Sequence, residues 1–336
     1  MSKPVIILGG GLWGSLLAYR LKEVLPLVDF ILYEESSTLG RHEMWSFRES
    51  DCDKALNWLR PLVTKSWRQH KVKFNSGERD IMTPYHLLDS KKLHDLLIQK
   101  LPAGSLKLNN QISTELALQE GSFVIDTRNI CHFRKTGYRK CLSLEVECLE
   151  DHGVESPVLY NEEVMQKDCP RNLYYLPLSP RKLLIKDFWY SNDKNLNLDE
   201  MRKALSETLA SYGWKIHKVI KEETSVTLLP TSRPVFRQEG RVINLAGIFH
   251  DTTGCEVGSA TKLIDKMIDT SFRFGELREV VASYRNEIES DRKFLRLLNR
   301  LLIEEKQRRI FEVIYQKANL NLFDRSRILM WKLISV

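Results

Sequence analysis

The segment Val5-Ile6-Ile7-Leu8-Gly9-Gly10-Gly11-Leu12-Trp13-Gly14 restricts the fold of this chain more than any other. Four consecutive aliphatic residues suit a short strand buried on both faces of a parallel sheet. A helix follows, apolar at Leu17, Leu21 and Leu25, and then a second strand from Phe30 to Tyr33 that closes on Glu34. Gly-x-Gly-x-x-Gly between a strand and a helix, with an acid after the next strand, is a dinucleotide-binding fingerprint. In that reading Gly9 makes the tight turn, Gly11 lets the backbone approach a pyrophosphate, and Gly14 lets the helix pack on the strand. The helix N-terminus presents N–H groups and partial positive charge to phosphate. Glu34 accepts hydrogen bonds from ribose hydroxyls. A glycine-rich turn with no ligand is the bland alternative, and it does not need strand, helix and acid together.

Two later segments favour FAD over a nicotinamide dinucleotide. Phe123 to Arg128 reads as a strand running into a polar turn, which brings Asp126 to the nucleotide. Val242 to Gly247 is another buried strand, and Ile248-Phe249-His250-Asp251-Thr252-Thr253-Gly254 leads from it into an amphipathic helix. A second strand, turn and helix directs a second helix N-terminus at the cofactor. Gly247, His250, Thr252, Thr253 and Gly254 are therefore candidate flavin contacts, with His250 equally suited to a structural hydrogen bond.

Charge and cysteine usage narrow the partners. Of a net charge of +7 over 336 residues, a surplus of six lies in 291–336, with eleven Lys/Arg and five Asp/Glu. A basic tail suits an anionic membrane surface or nucleic acid. Its basic residues alternate with Phe294, Leu298, Leu301 and Ile310 at helical spacing. That pattern argues for a bilayer surface, or for ordinary helices with a solvated basic face, and against nucleic acid, whose recognition motifs are missing. The six cysteines (52, 131, 141, 148, 169 and 255) show no metal-ligand spacing, so no metal is expected. They read as reduced thiols in a cytoplasmic protein. No apolar run is long enough to span a bilayer, so any membrane contact is expected to be peripheral.

Other segments resemble one family. Leu39-Gly40, Trp45-Ser46-Phe47 and Asp51 are similar to the region after the fingerprint in bacterial lycopene β-cyclases. Tyr174-Tyr175-Leu176-Pro177-Leu178-Ser179-Pro180, Leu184-Ile185-x-Asp187, the turn Ala246 to Gly254 and Asp324-Arg325-x-Arg327 resemble later motifs of the family, in its order. The resemblance implies an α/β fold of the group-II FAD hydroxylase type. An FAD-binding Rossmann-like domain (1–60, 86–130, 240–275) would carry an antiparallel substrate-binding sheet (61–85, 131–239) and a basic C-terminal helical region (276–336). It also implies a redox-neutral, proton-initiated closure of the end groups of lycopene, or a related acyclic carotenoid, to β-rings. Reduced FAD is the expected active form and NAD(P)H the expected reductant. The apolar polyene is the expected partner, taken up at the membrane surface.

The resemblance breaks at the acid. The family carries Glu between Ile185 and Asp187 as its expected acid/base, and here the residue is Lys186. Lys186, the neighbouring Asp187 and the loop acid Glu43 are the catalytic candidates, with Glu256 as a further loop carboxylate. Neighbouring strand residues face opposite ways, so Asp187 does not inherit the role by proximity. Trp45 and Phe47 are candidates to line a polyene tunnel, or are plain core. Two rival readings follow: a homologue that binds flavin and isoprenoid but has lost its acid, and an FAD monooxygenase. Between Cys131 and Trp189 several short strands are expected, with helices over 90–100, capped by Ser90, and over 198–212.

Overall fold

The computed structural model describes residues 3–74, 77–128, 132–161, 164, 169–235, 240–248 and 256–303. In chain order the strands and helices of the first stretch are β1 (Val5–Leu8), α1 (Leu12–Val24), β2 (Phe30–Tyr33), β3 (Met44–Arg48), α2 (Glu49–Cys52), α3 (Leu56–Leu59) and β4 (Val63–Trp67). Next come β5 (His70–Phe74), β6 (Gly77–Ile81), β7 (Tyr85–Asp89), α4 (Ser90–Lys100), β8 (Leu106–Lys107), α5 (Thr114–Glu120) and β9 (Val124–Asp126). The middle holds β10 (His132–Phe133), β11 (Thr136–Cys148), β12 (Val158–Asn161), β13 (Arg171–Ser179), β14 (Lys182–Ser191), α6 (Leu198–Ser211) and β15 (Ile216–Pro230). β16 (Pro234–Val235), β17 (Val242–Asn244), α7 (Glu256–Ile268), α8 (Phe274–Glu287) and α9 (Glu289–Ile303) complete it.

Two compact units divide these elements. The first comprises 1–66, 86–132 and 234–289, and the second 67–85, 133–233 and 290–336. In the first unit β1 is the middle strand of a parallel sheet ordered β17-β9-β1-β2-β8. Val5 lies opposite Phe30, Ile6 opposite Val124, and Val242 opposite Val124 on the far side. Both faces of β1 are covered, which is why its sequence shows no polar alternation. Ile7 packs with Leu16 and Leu17 of α1 and Leu263, Ile264 and Met267 of α7. Ile6 and Leu8 pack on the other side with Val124 and Ala117 of α5. Each fully buried Leu or Ile contributes about 1.5–3 kcal/mol relative to exposure.

α4 and α6 form close to where their patterns place them. The cap of α4, however, is Asp89 rather than Ser90: the Asp89 carboxylate accepts from Lys91 N at 2.8 Å. β7 stays extended through Asp89, so Ser90 is already the first helical residue.

The second unit is built on a seven-stranded sheet ordered β15-β11-β14-β13-β12-β5-β6. Its pairs are antiparallel except β12 with β5. Of the short strands expected between 131 and 189, β10 and β12 are short, with 2 and 4 residues, whereas β11 has 13 and β14 has 10, and β15 adds an edge strand of 15. Charged and polar residues recur on both strand faces, which hides their length from a periodicity reading. One face packs Leu142, Leu173, Ile185 and Trp189 under Met201 and Leu205 of α6. On the other, Cys141, Phe188 and Tyr190 pack with Phe294, Leu295 and Leu298 of α9.

Residues 276–303 form no region of their own. Leu277, Val281 and Tyr284 of α8 join the core of the first unit, and α9 covers the sheet of the second. The apolar residues of α9 anticipated for a bilayer, Phe294 and Leu298, are thus occupied by the fold, while Leu297 stays exposed. Among the described residues no helix is long and apolar enough to cross a membrane.

Candidate functional site

Each glycine of the fingerprint has a distinct steric reason. Gly9 sits at φ +95°, where an L side chain is strained. A Cβ on Gly14 would lie 1.9 Å from the Gly9 carbonyl oxygen, so α1 can touch the end of β1 only without one. A Cβ on Gly11 would meet nothing within 4 Å. Gly11 opens onto free space at the start of α1, where no side chain caps the helix. That combination suits a pyrophosphate at the helix N-terminus. Glu34 is buried, and its carboxylate accepts from Gly10 N at 2.6 Å and Ser36 N at 2.9 Å. The acid therefore also ties the glycine turn to β2, a task the spacing did not reveal.

Asp126 ends β9 and is committed to Arg128. Its carboxylate accepts from Arg128 Nε at 2.9 Å, Nη2 at 2.7 Å and the backbone N at 3.0 Å. That bond to Asp126 raises the guanidinium above its ordinary pKa. The Thr127 hydroxyl donates to the carbonyls of Leu8 and Gly9, both at 2.9 Å. The polar turn thus buttresses the glycine loop from behind, and Arg128 is the cationic group it holds beside Gly9. Gly247 adopts φ +76° after β17, and Arg285 of α8 donates to the carbonyls of Asn244 and Ala246. His250, Thr252, Thr253 and Gly254 lie outside the described residues.

The catalytic candidates fall in three different settings. Lys186 faces one side of the second unit's sheet, directly between Ser143 of β11 and Tyr174 of β13. Asp187 faces the other side and is fully buried with Arg171. Arg171 Nε and Nη2 donate to its two oxygens at 2.8 and 2.9 Å, and Trp189 Nε1 adds a bond at 3.1 Å. Burial raises the Asp187 carboxyl, with the Arg171 and Trp189 bonds pulling back. Arg171 Nη1 also reaches Thr208 of α6 at 3.1 Å. With both oxygens engaged and no exposure, Asp187 serves the sheet–helix junction. Glu43 is exposed in the first unit, where its carboxylate accepts from Trp45 Nε1 at 3.1 Å and its carbonyl from Ser90 N at 3.1 Å.

Phe47 is core rather than lining, 1% exposed and packed against His86 at 5.2 Å between ring centroids. Trp45 is half-buried against the same core. One chain of polar groups was not anticipated. Ser66 Oγ lies 2.9 Å from His86 Nδ1, and His86 Nε2 lies 3.1 Å from Glu49 Oε2. Its members come from β4, β7 and α2, so no sequence spacing signals it. Among the described residues Cys52, Cys141, Cys148 and Cys169 are free thiols, and burial pushes Cys169 to about 11. No group of metal-ligating residues occurs among them.

Comparison with known proteins gives a consistent picture. The family model described as "Lycopene cyclase protein" matches residues 4–325. The lycopene beta-cyclase of Pseudescherichia vulneris is 30% identical, with 98% of this chain and 94% of that protein aligned. The lycopene beta-cyclase of Pantoea ananas is 25% identical over the same shares. Among solved structures, the p-nitrophenol 4-monooxygenase of Pseudomonas putida DLL-E4 superposes with a TM-score of 0.63 at 14% identity, covering 99% of this chain and 97% of that one. A flavin-dependent halogenase from Xanthomonas campestris gives 0.58 at 12% identity, covering 88% and 77%. At such identities these structures speak for the fold alone, a mixed α/β architecture shared with both proteins.

Proposed function

This chain belongs to the lycopene cyclase family, and on that premise we propose that it is a flavoprotein that cyclises an acyclic carotenoid. The observation that carries the reading is the family match over residues 4–325, together with a dinucleotide fingerprint whose glycines leave room for a pyrophosphate. FAD is the proposed cofactor. Gly11 and the first turn of α1 would hold its pyrophosphate, Glu34 its ribose, and Arg128, positioned by Asp126, would add a positive charge nearby. His250, Thr252, Thr253 and Gly254, which follow Gly247 in the sequence, are the remaining proposed contacts. When bound and reduced, with NAD(P)H as the proposed electron source, the flavin supplies an electron-rich surface beside a developing cation.

The chain's own residues do the rest. The proposed reaction adds a proton to a terminal alkene, lets the neighbouring double bond attack the cation, and removes a proton to close a β-ring. Atoms and electrons balance without net oxidation. Such a reaction needs an apolar, water-poor enclosure and a proton donor. The proposed location is cytoplasmic, on a membrane surface, because a polyene substrate resides in lipid and the last 46 residues carry a surplus of six positive charges.

The test is expression in a bacterial host that accumulates lycopene, with the pigments separated by chromatography. Conversion of lycopene to cyclic products of shorter absorption wavelength is the expected outcome. Unchanged lycopene beside soluble, flavin-loaded protein rejects the reading. That result would favour the rival motivated by Lys186, a homologue that keeps the cofactor and has lost the family's carboxylic acid.

A further inference from the structure

Lys186 does not stand alone on its sheet face. In an antiparallel sheet, residues directly opposite one another project to the same side with Cβ atoms about 4.5–5.5 Å apart. The register at Lys186 therefore defines a row across four strands: Glu223 of β15, Ser143 of β11, Lys186 of β14 and Tyr174 of β13. Two residues along, on the same side, Lys221 lies opposite Glu145. Lys221 Nζ also bridges to Glu223 Oε1 at 2.6 Å. The face thus balances two ammonium groups with two carboxylates beside a phenol, and Arg139 lies further along β11 over the Phe188 ring at 5.0 Å. The Tyr174 ring stands edge-to-face on Phe188, with centroids 5.0 Å apart and planes at 72°. Both Tyr174 and Lys186 are half-buried, so each is desolvated in part yet accessible.

We infer that Tyr174 donates the proton that starts ring closure, with Lys186 as its positioning and charge-compensating neighbour. This rests on the cyclase reading above. The Tyr174 O–H bond breaks as a C–H bond forms on the terminal alkene carbon. The resulting phenolate is stabilised by the Lys186 ammonium on the adjacent strand, a service that a glutamate at 186 would not provide. The ring carbon then loses its proton to the phenolate, which restores the phenol. Glu223 and Glu145 offset the two ammonium groups, Lys186 and Lys221, and the Arg139 guanidinium stands further along over Phe188.

The experiment measures cyclisation by the purified, flavin-loaded full chain on lycopene in lipid vesicles. It compares wild type, Tyr174→Phe, Lys186→Met and protein carrying 3,5-difluorotyrosine at 174. Tyr174→Phe is expected to lower kcat about 100-fold or more, the usual weight of a general acid, with flavin content unchanged. Lys186→Met is expected to lower it less, and the more acidic fluorinated phenol to restore part of that loss in the double variant. Tyr174→Phe within threefold of wild type overturns the assignment, as does loss of activity in Lys186→Met alone, which makes the lysine itself the donor. A rate indifferent to phenol acidity reduces Tyr174 to packing and also overturns it. Should wild type form no ring at all while holding flavin, the cyclase reading fails first and this inference falls with it.

Discussion

At the scale of single residues, the fingerprint glycines separate two demands that sequence spacing merges. Gly14 is required by the fold, because its missing Cβ is the space in which the Gly9 carbonyl lies, 1.9 Å away from where that atom would be. Gly11 is required only by a ligand, because its missing Cβ borders open space and its φ of −69° is available to any residue. Gly14→Ala should therefore unfold the apo-protein at clearly lower temperature. Gly11→Ala should cost the apo-protein no more than about 1 kcal/mol, the penalty of a poorer helix cap, while weakening FAD binding tenfold or more. Calorimetry of the apo-proteins with a flavin titration checks both. Equal effects of the two changes on apo-stability would contradict the assignment. This distinction was half legible beforehand: the motif identifies the glycines, but only coordinates show what occupies the place of each absent methyl. Glu34 illustrates the same limit. Its position after β2 marked it as a ribose partner, whereas its bonds to Gly10 and Ser36 depend on how the turn folds back.

Among elements, the junction of β13, β14 and α6 shows why Asp187 drew attention for chemistry. A carboxylate inside an apolar strand looks functional until its partner is known, and Arg171 is 16 residues away on a neighbouring strand. Register supplies the partner, and register is a tertiary fact. Asp187→Asn should leave the Arg171 guanidinium short of charge in a fully buried site, costing about 3–5 kcal/mol. Replacing both, Arg171→Met with Asp187→Leu, should recover most of that loss in urea unfolding. A double variant as unstable as the single one would mean that the pair supplies more than mutual compensation. Local elements were easier to read. β1 and β2 announce themselves as short, nearly unbroken apolar runs, and α1, α4 and α6 through apolar periodicity, with a side-chain cap at the start of α4 and α6. β15 did not, because it is a sheet edge: His217, Lys218, Val219 and Ile220 are all exposed, and solvent enforces no alternation there. The Ser66, His86 and Glu49 chain was invisible for the same reason as the Arg171 pair, since it is assembled from three separate elements.

For the molecule as a whole, the charge asymmetry of the chain has a measurable consequence. The proposed surface binding predicts co-sedimentation with vesicles containing anionic lipid, weak binding to zwitterionic ones, and release as salt rises beyond about 0.15 M, where screening lengths fall below 10 Å. Removal of residues 304–336, which carry three of the six surplus positive charges, should weaken it clearly, because the apolar side of α9 is already spent on the sheet. Salt-independent binding, or binding undiminished in the shortened chain, would count against it. The two units also interleave along the chain, and that arrangement sets an order of events during synthesis. The last strand of the nucleotide sheet, β17, pairs with β9 across more than a hundred residues, Val242 against Val124. A ribosome has released β1, β2 and β9 and every strand of the other unit's seven-stranded sheet before β17 exists. The nascent protein therefore waits with the β9 edge of its nucleotide sheet unpaired, and that sheet is completed only once Val242–Asn244 has been made.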